Sequence, residues 1–219
     1  MDKTDRLRDY GLAFLLYEQG LGICGYELIR ELFIFVKLIL NSYLENALYL
    51  KVNKEKTVVS YVRGVKYLGY SFYVMKGKCQ LTVHSKPKAK MKSKLKELTS
   101  RSNGWGYAKR KQKLKEYIKG WVGYYHLANM KRLLLETDEW LRRRIRMCIW
   151  KSWKRVKTKV ANLIRCGISK HKAYEWGNTR KGYWRIADSY ILHRAITKEH
   201  LCRAGYATLM GAYLEWYPK

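Results

Sequence analysis

The feature that most constrains this chain is residues 119–156, where apolar side chains recur at helical spacing among many cations. The stretch predicts the end of one helix, a short joint and a second long helix, for which Thr137 would be the N-cap. One side of that helix is apolar and predicted to be core: Leu141, Ile145, Cys148, Ile149 and Val156. The other side mixes rings with cations: Trp140, Arg143, Met147, Trp150 and Lys154. Such a side is suited to a polyanion with unpaired bases, and burial of both sides in a bundle is the alternative.

The charge of the chain is strongly positive and unevenly placed. The formal net charge is +29, from 46 Lys and Arg against 17 Asp and Glu. Residues 1–48 hold five of these cations and seven of these acids, so the whole surplus lies after residue 48. Because a surplus of this size repels itself, it is usually retained for an anionic partner, and nucleic acid is the partner we expect. Phosphate contacts release counterions, so this binding should weaken steeply with salt.

The five cysteines are widely separated and form no Cys-x-x-Cys pair, and no His lies at metal-ligand spacing from them. They predict reduced thiols in a reducing, cytoplasmic compartment, with neither a structural zinc site nor a disulfide framework. Residues 1–9 are a charged patchwork unlike a secretory leader. The most apolar segment, residues 28–40, is too short to span a membrane and carries three charges. No membrane partner is therefore expected.

The spacing of apolar residues along the chain predicts an α+β fold that is mostly α. Residues 28–48 have the spacing of an amphipathic helix, and its predicted buried side consists of Ile29, Leu32, Phe33, Val36, Ile39, Leu40, Tyr43, Leu44 and Ala47. Residues from about 50 to 84 are rich in β-branched and aromatic side chains, which predicts a small antiparallel β-hairpin region. Helical spacing returns after that region, with a helix starting at Ser85 and another at residues 107–130.

Two short Gly-containing segments punctuate the β-rich region. Arg63-Gly64 and Lys76-Gly77 are predicted turns between strands. Gly69 is expected inside the most apolar strand, where the missing side chain would let another backbone approach closely.

Residues 50–57, followed by Tyr67-Leu68-Gly69-Tyr70-Ser71-Phe72, resemble the end of the palm in reverse transcriptases encoded by bacterial group II introns. These RNA-directed DNA polymerases use a Leu-Gly-aromatic strand in the hairpin that grips the primer end. The resemblance therefore implies a primer-grip-like role for Tyr67, Leu68, Gly69 and Tyr70.

The resemblance continues downstream. The lysine-rich helix start at Ser85 and the joint at residues 104–106 are similar to the thumb of those enzymes. The runs at residues 120–125, 139–146, 150–155 and 180–185 are similar to the group II intron maturase-specific domain. The implied domains are an atypical N-terminal segment with one amphipathic helix at 1–48, the end of the palm at 49–84, a helical thumb at 85–130, and a helical maturase-specific domain at 131–219.

The chain departs from the family at the catalytic site. Reverse transcriptases hold metal ions on the paired aspartates of a Tyr-x-Asp-Asp turn, and this sequence contains no adjacent aspartates. We therefore expect no catalytic residues, no metal ligands and no cofactor for this chain, although the full-length family uses Mg²⁺. Residues 1 to about 37 are expected to be unrelated sequence, joined to the palm's last helix by a deletion or frame change.

The expected function is that of an RNA-binding fragment of a maturase from this class of mobile genetic element, which assists intron folding and RNA splicing without polymerase chemistry. The expected thumb contacts to phosphate are Lys86, Lys88, Lys90, Lys92 and Lys94. The expected maturase contacts are Arg142, Arg143, Arg146, Lys151, Lys154, Arg155, Lys157, Lys159, Arg180, Lys181 and Arg185. The candidates for base stacking are Trp150, Trp153, Tyr183 and Trp184.

Two alternative functions stay open at this point. One is a working reverse transcriptase whose palm is supplied in trans, acting on an RNA/DNA duplex. The other is a general basic nucleic-acid binder, or a decayed product of a mobile element. A solvated surface charge is the alternative role for each single lysine.

Overall fold

The computed structural model describes the backbone of residues 26–53 and 62–217, and the side chains of these residues other than 26–33 and 63. The described residues form ten α-helices and one three-stranded sheet, which confirms the predicted α+β, mostly α, fold class. The chain divides into two compact units at residues 1–81 and 82–219. Residues 1–25, which include most of the segment expected to be of separate origin, lie outside the described part.

Helix α1, Tyr26–Asn46, opens the described part of the first unit and confirms the predicted helix at residues 28–48 to within two residues. The prediction of one buried side is wrong, since Ile39 and Tyr43 are exposed and no described side chain of α1 is fully buried. Val36, Leu40 and Leu44 of the predicted side are half-buried, and the apolar Phe35 and Leu38 are exposed as well.

A small antiparallel sheet follows in the order β1-β2-β3. One turn of 3₁₀ helix, Val62–Gly64, stands where a turn was predicted and leads into β1, Lys66–Tyr67. Strands β2, Tyr70–Met75, and β3, Lys78–Val83, are joined at Lys76-Gly77, which confirms that predicted turn.

The prediction for Gly69 is wrong, because this residue lies in the turn between β1 and β2. Tyr67 pairs with Tyr70, so Leu68 and Gly69 alone form the connection. Their φ angles are 46° and 85°, and positive φ at both positions is what a two-residue turn of the twisted hairpin requires. Gly69 therefore provides a left-handed conformation rather than space for a neighbouring strand.

Nine helices form the second unit: α2 Ser85–Leu98, α3 Tyr107–Tyr125, α4 Lys131–Ser152, α5 Val156–Arg165, α6 Lys170–Gly177, α7 Tyr183–Ala187, α8 Tyr190–Ala195, α9 Lys198–Arg203 and α10 Leu209–Leu214. Helix α4 is the central element, because α2, α7 and α10 all pack against it. Helices α5 and α6 pack against each other closely: a Cβ on Gly177 would lie 2.8 Å from Val160 Cγ2.

The predicted N-cap of the long helix is wrong. Helix α4 begins at Lys131, after Met130 in the N-cap position, and Thr137 lies inside it. The Thr137 hydroxyl donates to the carbonyl of Leu133, one turn earlier, at 2.7 Å. Residues 131–136 are mainly strong helix formers and include the fully buried Leu134, so they extend the helix upstream. The preceding helix, α3, accordingly ends at Tyr125 instead of reaching Met130.

Helix α4 is buried on both of its sides. Leu141, Ile145 and Cys148 are buried, as predicted for the apolar side. Trp150 is only 1% exposed, although it lies on the side that was expected to face nucleic acid. For this ring the alternative prediction, burial within a helical bundle, is therefore correct. Val156 is exposed, because α4 ends at Ser152 and Val156 opens the next helix.

A buried carboxylate connects α4 to the last helix. Asp138 Oδ1 accepts from the N–H of Leu209 at 2.8 Å, and Oδ2 accepts from the N–H of Met210 at 3.0 Å. These two donors are the first N–H groups of α10, which its own helix cannot satisfy. Asp138 therefore fixes the N-terminus of α10 against the middle of α4.

The pKa of Asp138 gives this connection a pH dependence. Burial raises the pKa of Asp138 above its ordinary value of 3.8, and the hydrogen bonds from Met210 and Leu209 only partly offset that effect. Since the folded state holds the proton more tightly than the unfolded state, this group's contribution to stability is present below pH 3.8 and is lost as the pH rises through the raised pKa. We expect Asp138→Asn to remove this decrease in the free energy of unfolding with rising pH. Urea unfolding of both proteins from about pH 3 to about pH 8 measures it. The exposed neighbour Glu139 provides the control, because Glu139→Gln should leave the fall in place.

Candidate nucleic-acid interface

The short helix α7 presents two aromatic rings to solvent. Its residues Ile186 and Ala187 are buried, and Ala187 packs with Met147 and Cys148 of α4. This packing leaves Tyr183 and Trp184, at the start of α7, about two-fifths exposed, with values of 40% and 39%. The apolar end of α7 therefore anchors the helix, and its aromatic end remains accessible.

Arg143 of α4 makes two contacts with Trp184 and one with Asp188. Its guanidinium carbon lies 3.9 Å from the centroid of the Trp184 ring, a cation–π contact. Its Nη2 donates to the backbone carbonyl of Trp184 at 3.2 Å, and its Nη1 pairs with Asp188 Oδ2 at 3.0 Å. Ring and guanidinium are thus fixed relative to one another.

Arg101 makes the corresponding contact with Tyr183. Its guanidinium carbon lies 5.1 Å from the centroid of the Tyr183 ring. The backbone carbonyl of Arg101 accepts from Lys151 Nζ at 2.7 Å, which ties the loop after α2 to α4. We call these five residues the α7 cluster: Arg101, Arg143, Tyr183, Trp184 and Asp188.

Exposed cations flank the α7 cluster along the chain. Arg180 and Lys181 precede α7, and Arg185 lies within it; all three side chains are exposed. Rings on which bases can stack, placed among cations that can neutralise phosphates, are the usual components of a surface for unpaired nucleic acid. Six of the predicted contacts thus occur together: Arg143, Tyr183 and Trp184 in the cluster, and these three cations beside it in the chain.

A second exposed basic segment lies at the junction of α4 and α5. Lys154, Arg155 and Lys157 are exposed, and the first turn of α5 contains no acid. Cations at a helix N-terminus are disfavoured by the helix dipole, so they add to a positive potential that only an anion would offset.

The lysines predicted on the thumb lie on α2. Lys86, Lys90, Lys92 and Lys94 are exposed and Lys88 is half-buried. Lys86, Lys90 and Lys94 follow one another at every fourth residue and so share one side of the helix. Lys94 is partly neutralised, since its Nζ pairs with Glu97 at 2.9 Å.

Several predicted contacts are instead engaged inside the protein. Trp150 is buried, and Trp153, which is 9% exposed, lies 5.7 Å from it between ring centroids. Lys159 Nζ lies 4.8 Å from the centroid of the Trp150 ring. The two tryptophans therefore have a packing role, and their faces are not available to a base in this conformation.

Arg146 is the clearest case of an internal cation. Its side chain is 5% exposed, Nε donates to the carbonyl of Ile196 at 2.9 Å, and Nη1 lies 3.3 Å from His193 Nε2. Arg142 is half-buried and lines a small cavity beside Asp138. Arg146 therefore has a structural role and is not a surface contact for RNA in this conformation.

The primer-grip-like residues lie in the first unit, at the β1–β2 turn. Tyr67 and Tyr70 are the paired residues that close the turn, and both are half-buried. Leu68 is exposed and has a positive φ of 46°, a strained conformation for a bulky side chain. Nothing in the structure tests a contact of these residues with a primer.

Sequence reasoning missed Arg101 and Arg144. Arg144 Nε donates to Thr99 Oγ1 at 2.6 Å, and Arg144 Nη2 donates to the carbonyls of Lys96 and Thr99. The partners of both arginines are remote in the sequence, so no local pattern marks them. Arg101 follows α2 in a short loop, which was the one available signal.

The described residues contain no group of three or more His, Cys, Asp or Glu that could hold a metal ion. None of the described helices is both long enough and apolar enough to cross a membrane.

Part of the chain matches a known family. Residues 88–167 match the model of the group II intron, maturase-specific domain. No curated protein matches the chain. The matched range runs from α2 to just past α5 and includes Arg101 and Arg143, whereas Tyr183 and Trp184 lie beyond it. The domain boundaries expected from the sequence stay predictions.

Internal and outward cations should differ in their effect on stability. We expect Arg146→Gln to lower the free energy of unfolding by about 1–3 kcal/mol, because the buried carbonyl of Ile196 loses its donor. Arg155→Gln, at an exposed position of the same charge, should change it by less than about 0.5 kcal/mol. Urea unfolding measures both values, and equal effects would contradict the division into internal and outward cations.

Proposed function

We propose, from the premise that residues 88–167 are a group II intron maturase-specific domain, that the chain binds intron RNA through the α7 cluster and its flanking cations. The observation that carries the proposal is the pair of half-exposed rings fixed on guanidinium groups among exposed cations. Maturase function is supported by the matched family. The manner of RNA contact is inferred from the geometry.

The proposed mechanism is binding without bond-making by the protein. Exposed cations neutralise phosphates, so RNA segments that repel one another can approach and adopt the splicing-competent fold. The RNA then performs its own transesterifications. The rings of the α7 cluster contribute stacking with unpaired bases, which is worth about 1–3 kcal/mol per base in other proteins.

Pre-organisation favours the α7 cluster over an arbitrary basic surface. Arg143 is held by Asp188 and by the Trp184 carbonyl, so the Trp184 ring and its cation lose little conformational freedom when RNA binds. Isolated surface lysines have no such restraint and provide charge alone.

The alternative of a reverse transcriptase with its palm supplied in trans stays a prediction of the sequence resemblance. Extension of a primed RNA template by the purified chain, alone and with a separate palm fragment, tests it.

Removing the flanking cations should weaken RNA binding and reduce its salt dependence. For Arg180→Gln, Lys181→Gln and Arg185→Gln combined, we expect the slope of log K against log salt to fall by roughly 2–3, because each neutralised phosphate contributes about 0.7–0.9 to that slope. The melting temperature should be unchanged, because the three side chains are exposed.

A charge-matched control is available on other helices of the same unit. Lys170→Gln, Lys172→Gln and Arg203→Gln remove three exposed cations that the proposal does not use. Filter binding across a salt series compares the two triple variants. An equal reduction of the slope in both would mean that only total charge matters.

Specificity separates a maturase from a general basic binder. We expect the intron RNA flanking the gene to bind more tightly than a size-matched unrelated RNA, with a preference that persists as salt rises, because shape recognition is less screened than phosphate contacts. Competition titrations at several salt concentrations measure this. Equal, steeply salt-sensitive binding of both RNAs would instead support the general binder.

A further inference from the structure

We propose that Trp216 forms a second RNA contact, separate from the α7 cluster, that takes one unpaired nucleobase. The site is built by α3 and by the residues that follow α10. It rests on the proposed function only in that its ligand is RNA.

The indole of Trp216 is held by two contacts within the part of the chain that the structure describes, and about half of its surface is exposed. It stacks on the ring of His126, with centroids 4.4 Å apart and planes at 19°. It also lies against the backbone of α3, since a Cβ on Gly123 would be 3.4 Å from Trp216 Cζ2. Tyr217 braces the support, because its hydroxyl donates to the carbonyl of His126 at 2.7 Å. Trp216 nevertheless remains 51% exposed.

A second glycine of α3, Gly120, leaves an open position on the helix, which we call the notch. Gly120 precedes Gly123 by three residues, so the two lie on the same side of the helix. Glycine in a helix interior costs about 1 kcal/mol relative to alanine. The close approach of Trp216 accounts for Gly123, but a Cβ on Gly120 would meet nothing within 4 Å. Gly120 is exposed and lies about one turn before Gly123, so the helix backbone is bare on the side against which Trp216 packs, and a ligand could approach it closely.

Cations continue the same side of α3. Lys119 and Lys115 precede Gly123 by one and two turns, and both are exposed. The acid between them, Glu116, is engaged by Gln112 and Lys113. The side thus presents Lys115, the already paired Glu116, Lys119, the notch and a flat ring in succession.

This order fits a nucleotide strand better than a protein partner. A base can stack on the open indole while its neighbouring phosphates approach Lys119 and Lys115. A protein partner that covered this side of α3 would bury the same two lysines, and charge is depleted at the centre of protein interfaces. The occupant we assign is therefore an unpaired base of RNA.

Fluorescence binding of a short single-stranded RNA that carries 2-aminopurine tests the assignment. We expect Trp216→Ala to bind it roughly tenfold more weakly, the usual scale for removal of one stacked base, with the salt slope unchanged. Trp216→Phe should keep most of the affinity, because a flat ring remains.

Gly120→Leu is the decisive variant, since it fills the notch and also replaces a poor helix former. We expect its melting temperature to hold or rise while RNA affinity falls about as far as in Trp216→Ala. Ala108→Leu, at an exposed position about three turns earlier in α3, should leave affinity unchanged.

The outcomes separate this inference from the proposed function. If the native chain binds RNA and neither Trp216→Ala nor Gly120→Leu weakens that binding, the Trp216 site alone would be overturned. Failure of the native chain to bind any RNA would overturn both. If the native chain self-associates in sedimentation experiments and Trp216→Ala abolishes this, the partner of the ring would be a second copy of the chain. That result would overturn the assignment of a nucleobase.

Discussion

The rest of the second unit depends on how the charged helix α4 is buried on both sides. A cation in an apolar interior is costly unless it finds acceptors, and burial lowers the pKa of Arg144 and Arg146 for this reason. Both arginines reach the ends of other helices. Arg144 donates to carbonyls at the C-terminus of α2, and Arg146 donates to the carbonyl of Ile196, the C-cap of α8. Helix C-termini have unsatisfied carbonyls and partial negative charge, so the match is electrostatic as well as geometric.

The one buried acid of α4, Asp138, binds a helix end of the opposite partial charge. Asp138 accepts from the N-terminal N–H groups of α10, where the partial charge is positive. Helix α4 therefore positions three neighbouring helices through charges that match their dipoles. Because these contacts use specific backbone atoms, they fix the register of α4 more tightly than apolar packing would. The position of the α7 cluster follows from that register, since Arg143 lies on the same helix.

The sequence predicted the types of element well and their surroundings poorly. The Lys76-Gly77 turn and the helix starting at Ser85 carry their own local signals, and both were correct. Thr137 has the side chain of an N-cap, but upstream helix formers and the burial of Leu134 overrode that signal. Trp150 and Tyr183 are both aromatic residues beside cations in the sequence, yet one is buried and the other half-exposed. The spacing of residues shows which of them share one side of a helix. It does not show how many sides of that helix are covered by other helices, and this coverage decides which predicted contacts remain at the surface.

The helix N-termini carry this argument one step further. Helices α2 to α8 have no acid in their first turns, and several, including α4 with Lys131 and Arg132, begin with cations. Each such placement forgoes or reverses a dipole contribution of about 0.3–1 kcal/mol. Stability of the free protein alone would not favour this arrangement. A bound polyanion would reverse the sign of each contribution, because phosphates near these N-termini interact favourably with both the dipole and the cations. The same residues that weaken the free fold would then stabilise the complex, so folding and RNA binding would be thermodynamically linked.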